Sequence, residues 1–339
     1  MSRINARTPW INLGLVVFAT LFSLALVETA SRFIYPVSAG SRLTTGDGRN
    51  LTSWNEPGTT YRQVASEYNA ITTISSKGYR VPDVAGNPDI VFIGDSYTFG
   101  VGLNDEETFP FQYASAKKAA CANLALPGSG TGEEVDRLEK ALSDWGWRPR
   151  HVKLFMFAMT TSIAGGNDII DNLEYGAGNA SEQRRQKPVE GKSALWSGIY
   201  NMLRFQVLAS SNLARILKFH IGTQVRSIVT HGIDTQTLTK SLDVTRRQLM
   251  RLQTLSQTHG FTYEIFLIHP VQDIVRGTAS QTHQALQSIS PAPIQGTAQL
   301  FIKNPASYYY AYDGHLNPRG SMAIARFLIS REKSDPHKK

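Results

Sequence analysis

The sequence predicts an α/β fold, a doubly wound sandwich in which helices cover both faces of a mainly parallel sheet. Two observations carry this prediction. Short apolar runs typical of buried parallel strands recur along the chain, at Ile90–Ile93, Ala122–Leu126, Val152–Phe157 and Tyr263–Ile268. Segments with apolar residues at helical spacing lie between and after them, at Phe109–Ala120, Glu133–Ser143, Leu238–His259 and Ser321–Ser330. Alternating strands and helices are the pattern of a sheet covered on both sides.

The composition describes a globular chain with room for one large domain and appendages: 339 residues, 41% hydrophobic and 18% charged. The net charge of +8 is diffuse, with no basic stripe interleaved with aromatic residues, so no nucleic-acid partner is expected. Cys121 is the single cysteine and lies in an apolar run, which predicts a buried structural thiol. No Cys/His cluster has the spacing of zinc ligands, and neither a metal nor a cofactor is expected.

The N-terminus carries a membrane signal. Trp10–Val27 is free of charge, with Arg3 and Arg7 before it and Glu28 directly after it. A span of about 18 residues is near the lower limit for crossing a bilayer as a helix. Basic residues ahead of the span favour a cytoplasmic N-terminus, an inner-membrane anchor and a periplasmic or otherwise exported body. A cleaved signal peptide is the rival interpretation, although residues 27–30 offer a poor cleavage site.

Four segments are expected along the chain, the third of them with an insertion. Residues 1–30 form the transmembrane anchor, 31–58 a Ser-, Thr- and Gly-rich linker, and 59–330 the main domain. Thr59–Pro82 reads as a short hairpin with a turn at Lys77-Gly78. Residues from about 172 to 237 break the strand–helix rhythm and form an insertion, either a packed helical excursion or a lid over the site. Residues 331–339 are expected to be disordered.

The most informative motif is the end of the first apolar run, IVFIGDSYTFGVG, where Ser96 follows the predicted strand. The carboxyl ends of parallel strands are where α/β folds bind ligands. A serine hydroxyl there becomes a nucleophile if a neighbouring base takes its proton. By itself Gly-Asp-Ser is also compatible with a helix N-cap or a turn.

Three later segments hold the partners that such a serine needs. Gly128 lies in a glycine-rich turn after the second run, where a backbone N–H can approach a ligand oxygen closely. Asn167, in Gly-Gly-Asn-Asp, can donate its amide to a developing oxyanion. Asp313-Gly-His315 supplies a general base and an acid that orients it. Each segment is also compatible with an ordinary turn, and His269 is the reserve candidate for the base.

The order of these four motifs resembles the block pattern of the SGNH (GDSL) hydrolases, over roughly residues 77–327. The resemblance implies a three-layer α/β/α sandwich with a five-stranded, flavodoxin-like parallel sheet. It implies Ser96 as nucleophile, His315 as base and Asp313 as its orienting acid, with Asp95 a weaker candidate for that acid. The Ser96 and Gly128 amides and the Asn167 side chain would form the oxyanion hole.

One departure bears on the substrate. The family's commoner spacing is Asp-x-x-His, whereas this chain has Asp-x-His, which is similar to members linked to acylation of exported polysaccharides. The segments GDSYTFGVGLNDEETFP and NDIIDN also resemble membrane-anchored bacterial members. We therefore expect a serine esterase acting on acyl esters, such as O-acetyl groups of a small molecule or a glycan. The alternatives are an O-acyltransferase on an exported polysaccharide and a non-catalytic glycan-binding or assembly subunit.

Overall fold

The computed structural model describes residues 8–34, 42–82, 84, 86–158, 169, 172, 211–214, 216 and 235–333. The chain divides into two compact units. One comprises Met1–Ala39 and Val189–Val229, and the other comprises Gly40–Pro188 and Thr230–Lys339. Asn167 and most of the predicted insertion lie outside the described residues.

The first unit is built on helix α1, Thr8–Ile34. Residues 11–34 are long and apolar enough to cross a membrane, and none of that stretch is buried against protein; a signal sequence would meet the same criteria. At the polar end of α1 the Glu28 carboxylate accepts hydrogen bonds from the backbone N–H groups of Asn212 and Leu213 and from the Ser211 hydroxyl. Helix α1 and part of the predicted insertion therefore belong to one unit.

A small antiparallel sheet opens the second unit, in the order β1-β2-β3: Arg42–Thr45, Thr60–Val64 and Asn69–Thr73. Strand β1 lies inside the predicted linker, so the expectation of a tether over all of 31–58 is corrected. Its composition hid it, because only Leu43 of this polar strand is buried. The hairpin turn falls at residues 65–68, and Lys77-Gly78 forms a second turn beyond β3.

The central sheet has five parallel strands, β4 to β8, in the order β5-β4-β6-β7-β8. Their bounds are Ile90–Gly94, Cys121–Asn123, His151–Phe157, Thr262–Ile268 and Ile294–Gly296. Counted from the first of these strands, the order is 2-1-3-4-5, which is the flavodoxin-like arrangement. The predicted fold class is confirmed. Four of the strands overlap the predicted apolar runs. Strand β8 was not predicted, because Ile294 is the one apolar, buried residue in its Ile-Gln-Gly sequence.

Helices cover both faces of the central sheet. On one face the strands pack against α4 (Thr131–Ser143), α5 (Thr235–His259) and α7 (Ala279–Ile289). On the other they pack against α3 (Phe109–Lys117) and α8 (Pro318–Lys333). Short helices α2 (Ser96–Phe99) and α6 (Val271–Arg276) follow β4 and β7. Helix α8 includes residues 331–333, which corrects the start of the predicted disordered tail.

The two apolar faces explain why the strands read as continuous hydrophobic runs. Along β4, Val91 and Ile93 enter one core, while Ile90 and Phe92 enter the other. The second core is aromatic, with Phe155 stacked on Phe266 at 4.6 Å between ring centroids. Cys121 is fully buried in this core, as predicted.

Candidate active site

Ser96 lies at the point in the sheet where ligands are expected. The strand order reverses between β4 and β6, and such switch points form a crevice at the carboxyl edge of an α/β sheet. Ser96 directly follows β4 and is the first residue of α2. The structure therefore places this side chain at the mouth of the crevice, half-buried.

The turn that presents Ser96 is sterically specified. A Cβ atom at Gly94 would lie 2.7 Å from the carbonyl oxygen of Phe155, closer than real side chains approach. The next residue, Asp95, is the N-cap of α2, and its carboxylate accepts a 2.9 Å hydrogen bond from the N–H of Tyr97. The capping role that Gly-Asp-Ser suggested thus belongs to Asp95, which leaves the Ser96 hydroxyl available for another partner.

The Ser96 hydroxyl meets the histidine of the C-terminal motif. Its Oγ lies 2.8 Å from Nε2 of His315, across 219 positions of sequence. On the other side of the imidazole ring, Nδ1 makes a short hydrogen bond with Oδ1 of Asp313. A carboxylate at Nδ1 fixes the tautomer in which Nδ1–H donates to Asp313 and Nε2 accepts from Ser96. The three side chains form one hydrogen-bonded chain.

The glycine between Asp313 and His315 makes the short spacing workable. Gly314 has a φ of +85°, a left-handed conformation that is costly for other residues. The chain turns back there, so that a carboxylate two residues upstream reaches the histidine ring. Backbone hydrogen bonds hold the turn: the N–H of Tyr310 donates to the carbonyl of His315, and the N–H of Gly314 donates to the carbonyl of Tyr310.

Tyr97 packs against the ring of His315. Its ring lies 4.8 Å from the His315 ring and stacks on Phe157 of β6 at 4.3 Å. Its hydroxyl donates to the carbonyl of Gly314 at 2.9 Å. The residue next to the serine therefore fixes the loop that carries the histidine. Sequence reasoning gave Tyr97 no role, because a tyrosine in an apolar stretch is ordinarily a core residue.

The pKa values of the two carboxylates near Ser96 are shifted in opposite directions. Burial raises the pKa of Asp313, but the hydrogen bonds from His315 and Tyr68 outweigh burial, and the pKa lies below its usual value. Burial raises the pKa of Asp95 to about 6, against the hydrogen bond from Tyr97 and the charge of His315. Asp313 is thus the anion that can stabilise an imidazolium, whereas Asp95 accepts only a weak 3.4 Å hydrogen bond from the serine hydroxyl.

His269, the reserve candidate for the base, has a different environment. It follows β7, is 1% exposed, and burial lowers its pKa to about 4. The hydroxyl of Tyr309 donates to its backbone carbonyl at 2.8 Å. Ser96 bonds to His315, not to this histidine.

The residues predicted for an oxyanion hole are only partly placed. Gly128 lies in the turn after β5, the strand next to β4, with a φ of +78° and open space where a Cβ would stand. Asn167 lies outside the described residues. The contribution of Gly128, Asn167 and the Ser96 amide to oxyanion binding stays a prediction.

Arg80, which the sequence did not single out, holds the loop behind Ser96. Its side chain is fully buried and donates to the carbonyls of Phe99, Gly100 and Leu103 at 2.9, 2.6 and 2.6 Å. It also pairs with Asp105 at 3.0 Å. No local motif signals this role, because all of its partners lie at least nine residues away in sequence and are mostly backbone atoms.

Within the described ranges, no group of three or more His, Cys, Asp or Glu side chains is placed to hold a metal ion. The chemistry that this site can perform with its own residues is that of a serine activated by a histidine.

The chain matches no known protein-family model, and no curated protein matches it significantly. Similar solved structures include a psychrotrophic esterase from Pseudoalteromonas sp., 14% identical, with a TM-score of 0.39 over 73% of this chain and 97% of that chain. An acetyl-xylooligosaccharide esterase from Geobacillus is 14% identical, with a TM-score of 0.36 over 73% and 94% of the two chains. A member of the lipolytic G-D-S-L family from Veillonella parvula is 13% identical, with a TM-score of 0.33 over 71% and 96%. At such TM-scores these likenesses carry no argument about chemistry, which rests on the geometry of the site.

Proposed function

We propose that the chain is a serine esterase of the SGNH type that cleaves acyl esters, O-acetyl esters first among them, through an acyl-enzyme. The observation that carries the proposal is the continuous hydrogen-bonded chain from Ser96 Oγ through the two nitrogens of His315 to Asp313. Three residue types in this connectivity activate a hydroxyl on many unrelated folds.

In the first half of the reaction, Ser96 Oγ attacks the ester carbonyl carbon while its proton passes to Nε2 of His315. Asp313 stabilises the resulting imidazolium, because its carboxylate already accepts the Nδ1 proton. The tetrahedral intermediate collapses, the bond to the leaving alcohol breaks, and the alcohol takes the proton from Nε2. The acyl group is then bound to Ser96.

The negative charge on the tetrahedral intermediate needs hydrogen-bond donors. We assign this role to the backbone N–H groups of Ser96 and Gly128 and to the side-chain amide of Asn167. The positions of Ser96 and Gly128 after adjacent strands β4 and β5 support it, since both strand ends face one edge of the sheet. Donors of this kind contribute about a hundredfold or more in rate.

The acceptor of the acyl group in the second half of the reaction decides the reaction type. Water attacking the acyl-enzyme gives an esterase, and a sugar hydroxyl attacking it gives an O-acyltransferase; the same residues serve both. Helix α1 supports a location of the enzyme on the extracytoplasmic side of the inner membrane. We propose that its substrate there is an acetylated or acetyl-accepting glycan.

Labelling with a fluorophosphonate tests the nucleophile. The full-length protein is expected to react at Ser96, and Ser96→Ala is expected to abolish labelling. Ser143→Ala, which removes an exposed hydroxyl at the end of α4, is the matched control and should label as the wild type does. Equal labelling of Ser96→Ala contradicts the assignment. Binding of an acetylated oligosaccharide with neither labelling nor hydrolysis of p-nitrophenyl acetate would instead indicate a non-catalytic subunit.

Product analysis then separates the two outcomes of acyl transfer. The protein is incubated with an acetylated oligosaccharide, with and without a second, unacetylated sugar. Free acetate in both reactions indicates an esterase. Acetate on the second sugar indicates a transferase.

A further inference from the structure

The tip of the β2–β3 hairpin reaches the loop that carries Asp313. The carboxylate of Glu67 accepts hydrogen bonds from three successive backbone N–H groups, those of Ala311, Tyr312 and Asp313, at 2.7, 3.0 and 2.8 Å. Charge-assisted bonds to backbone N–H groups are among the stronger hydrogen bonds in proteins. A residue 246 positions away in sequence thus fixes the backbone of the acid.

The next residue on the hairpin contacts the acid itself. The Tyr68 hydroxyl donates to Oδ2 of Asp313 at 2.8 Å, while Oδ1 of the same carboxylate bonds to His315. With one partner on each oxygen, the carboxylate is held in a single orientation. Only one of the two partners is a member of the catalytic chain.

Tyr68 is itself held in place. Its ring lies 5.0 Å from the ring of Tyr310, whose hydroxyl donates to the carbonyl of Gly102 at 2.7 Å. A Cβ atom at Gly102 would come within 2.8 Å of both rings. The two tyrosine rings therefore cover the loop that follows α2. These contacts pack the tip of the hairpin against the site.

We propose that Tyr68 and Glu67 are positioning residues for the acyl transfer, so that the small antiparallel sheet completes the active site of the parallel one. Tyr68 orients the Asp313 carboxylate and shares its charge, and Glu67 fixes its backbone. This inference rests on the proposed function. It assigns a role to two residues, Tyr68 and Glu67, that lie outside the sequence motifs around Ser96 and His315.

The consequence of losing Tyr68 follows from the geometry of Asp313. Without the tyrosine donor on Oδ2, the carboxylate is free to turn about its side-chain bond, and its hydrogen bond with His315 Nδ1 is no longer held in one orientation. The imidazole that accepts the Ser96 proton is then less well aligned, so the loss should appear in kcat and not in KM.

The test uses the full-length protein and p-nitrophenyl acetate. Tyr68→Phe is expected to lower kcat about tenfold, the effect of one lost hydrogen bond to a charged group, with KM little changed. Tyr61→Phe is the matched control. It deletes a tyrosine hydroxyl from the same sheet, one that donates to the carbonyl of Trp54 at 2.6 Å, and should change stability without moving kcat.

Glu67 is tested by partial rescue. Glu67→Ala removes all three hydrogen bonds and is expected to lower kcat, whereas Glu67→Gln keeps a carbonyl oxygen and should recover part of the loss. Equal kcat values for wild type, Tyr68→Phe and Glu67→Ala overturn the inference.

A readout without substrate separates this inference from the proposed function. The downfield proton resonance of the His315 Nδ1–H reports its hydrogen bond to Asp313 directly, and it should shift in Tyr68→Phe but not in Tyr61→Phe. A wild-type protein that neither labels nor turns over ester would refute the proposed function, while the resonance would still decide the positioning role. An unshifted resonance in Tyr68→Phe counts against positioning even if the wild type is active.

Discussion

At the scale of single residues, the site combines groups with opposite electrostatic demands. In the proposed mechanism Ser96 needs a neutral base and an anion behind it, and Asp313 supplies that anion with donors on both carboxylate oxygens. Asp95, which is buried, accepts the N-cap hydrogen bond from Tyr97 and a weak one from the Ser96 hydroxyl, and these do not offset the effect of burial on its pKa. Two carboxylates within one short site therefore have different consequences for catalysis and for stability.

Asp313 is expected to matter for rate through the tautomer of His315. In Asp313→Asn the amide can place a donor against Nδ1, which favours the tautomer with its proton on Nε2 and removes the acceptor for Ser96. We expect kcat to fall by about 10³–10⁴ with KM nearly unchanged. Steady-state hydrolysis of p-nitrophenyl acetate measures this, with Asp89→Asn, an exposed carboxylate paired to Arg150, as the control. A loss below tenfold would show that another group orients His315.

Asp95 is expected to lower stability at neutral pH. Because burial raises its pKa to about 6 from the ordinary 3.8, the folded chain holds more protons than the unfolded chain between these values. Stability therefore falls as pH rises from about 4 to about 6, and the deficit persists above pH 6. Asp95→Asn keeps an oxygen for the N–H of Tyr97 and should stabilise the fold by on the order of 1–3 kcal/mol at pH 7.5.

Thermal unfolding of Asp95→Asn at pH 7.5 and at pH 4 tests this. The variant should have the higher Tm at pH 7.5, and the difference should shrink at pH 4, where the buried carboxyl is protonated in the wild type. Asp144→Asn, which changes an exposed carboxylate at the end of α4, should show neither effect. A stabilisation that is the same at both pH values would contradict the argument.

At the scale of elements, Arg80 ties the loop that follows α2 to the antiparallel sheet. Its guanidinium donates to three carbonyls of residues 99–103 and to the carbonyl of Ile71 on β3. Burying an arginine is costly unless every donor is paired, and here the donors meet backbone oxygens and Asp105. This one residue determines where the loop and the hairpin meet.

Arg80→Met is expected to destabilise the protein by about 3–5 kcal/mol, because it leaves buried carbonyls without their donor and removes the ion pair with Asp105. Urea unfolding measures the loss. Arg150→Met removes an exposed arginine paired with Asp89 and should change stability by no more than about 1 kcal/mol. Similar values for the two variants would show that the buried network contributes no more than a surface pair.

Elements also differ in how far the sequence reveals them. The strands β4, β6 and β7 and the long helices were predictable because burial on two faces or on one helical stripe leaves a periodic signal. Strands β1 and β8 each have one buried residue, so neither produces such a signal. The roles of Tyr68, Glu67 and Arg80 had no local signal either, since their partners come from distant parts of the chain.

At the scale of the whole molecule, the location of the proposed enzyme depends on whether the apolar helix α1 is retained. A retained helix would hold the protein at a membrane, whereas cleavage would release it. We expect an N-terminal tag to persist on the mature protein and to fractionate with membranes together with the catalytic activity. A mature protein that has lost the tag and is found in the soluble fraction would support the signal-peptide interpretation instead.

The sequence by itself determined the α/β class, the strand that delivers Ser96 and the motifs that supply His315 and Asp313. These are local properties, since hydrophobic periodicity and turn chemistry are written within a few residues. Only the tertiary structure decided that Ser96, His315 and Asp313 share one hydrogen-bonded chain, and that Gly314 lets a two-residue spacing work. It also brought Tyr68 and Glu67 to Asp313. Such contacts join residues more than 200 positions apart, and their geometry follows from how sheets and loops pack, which no local pattern records.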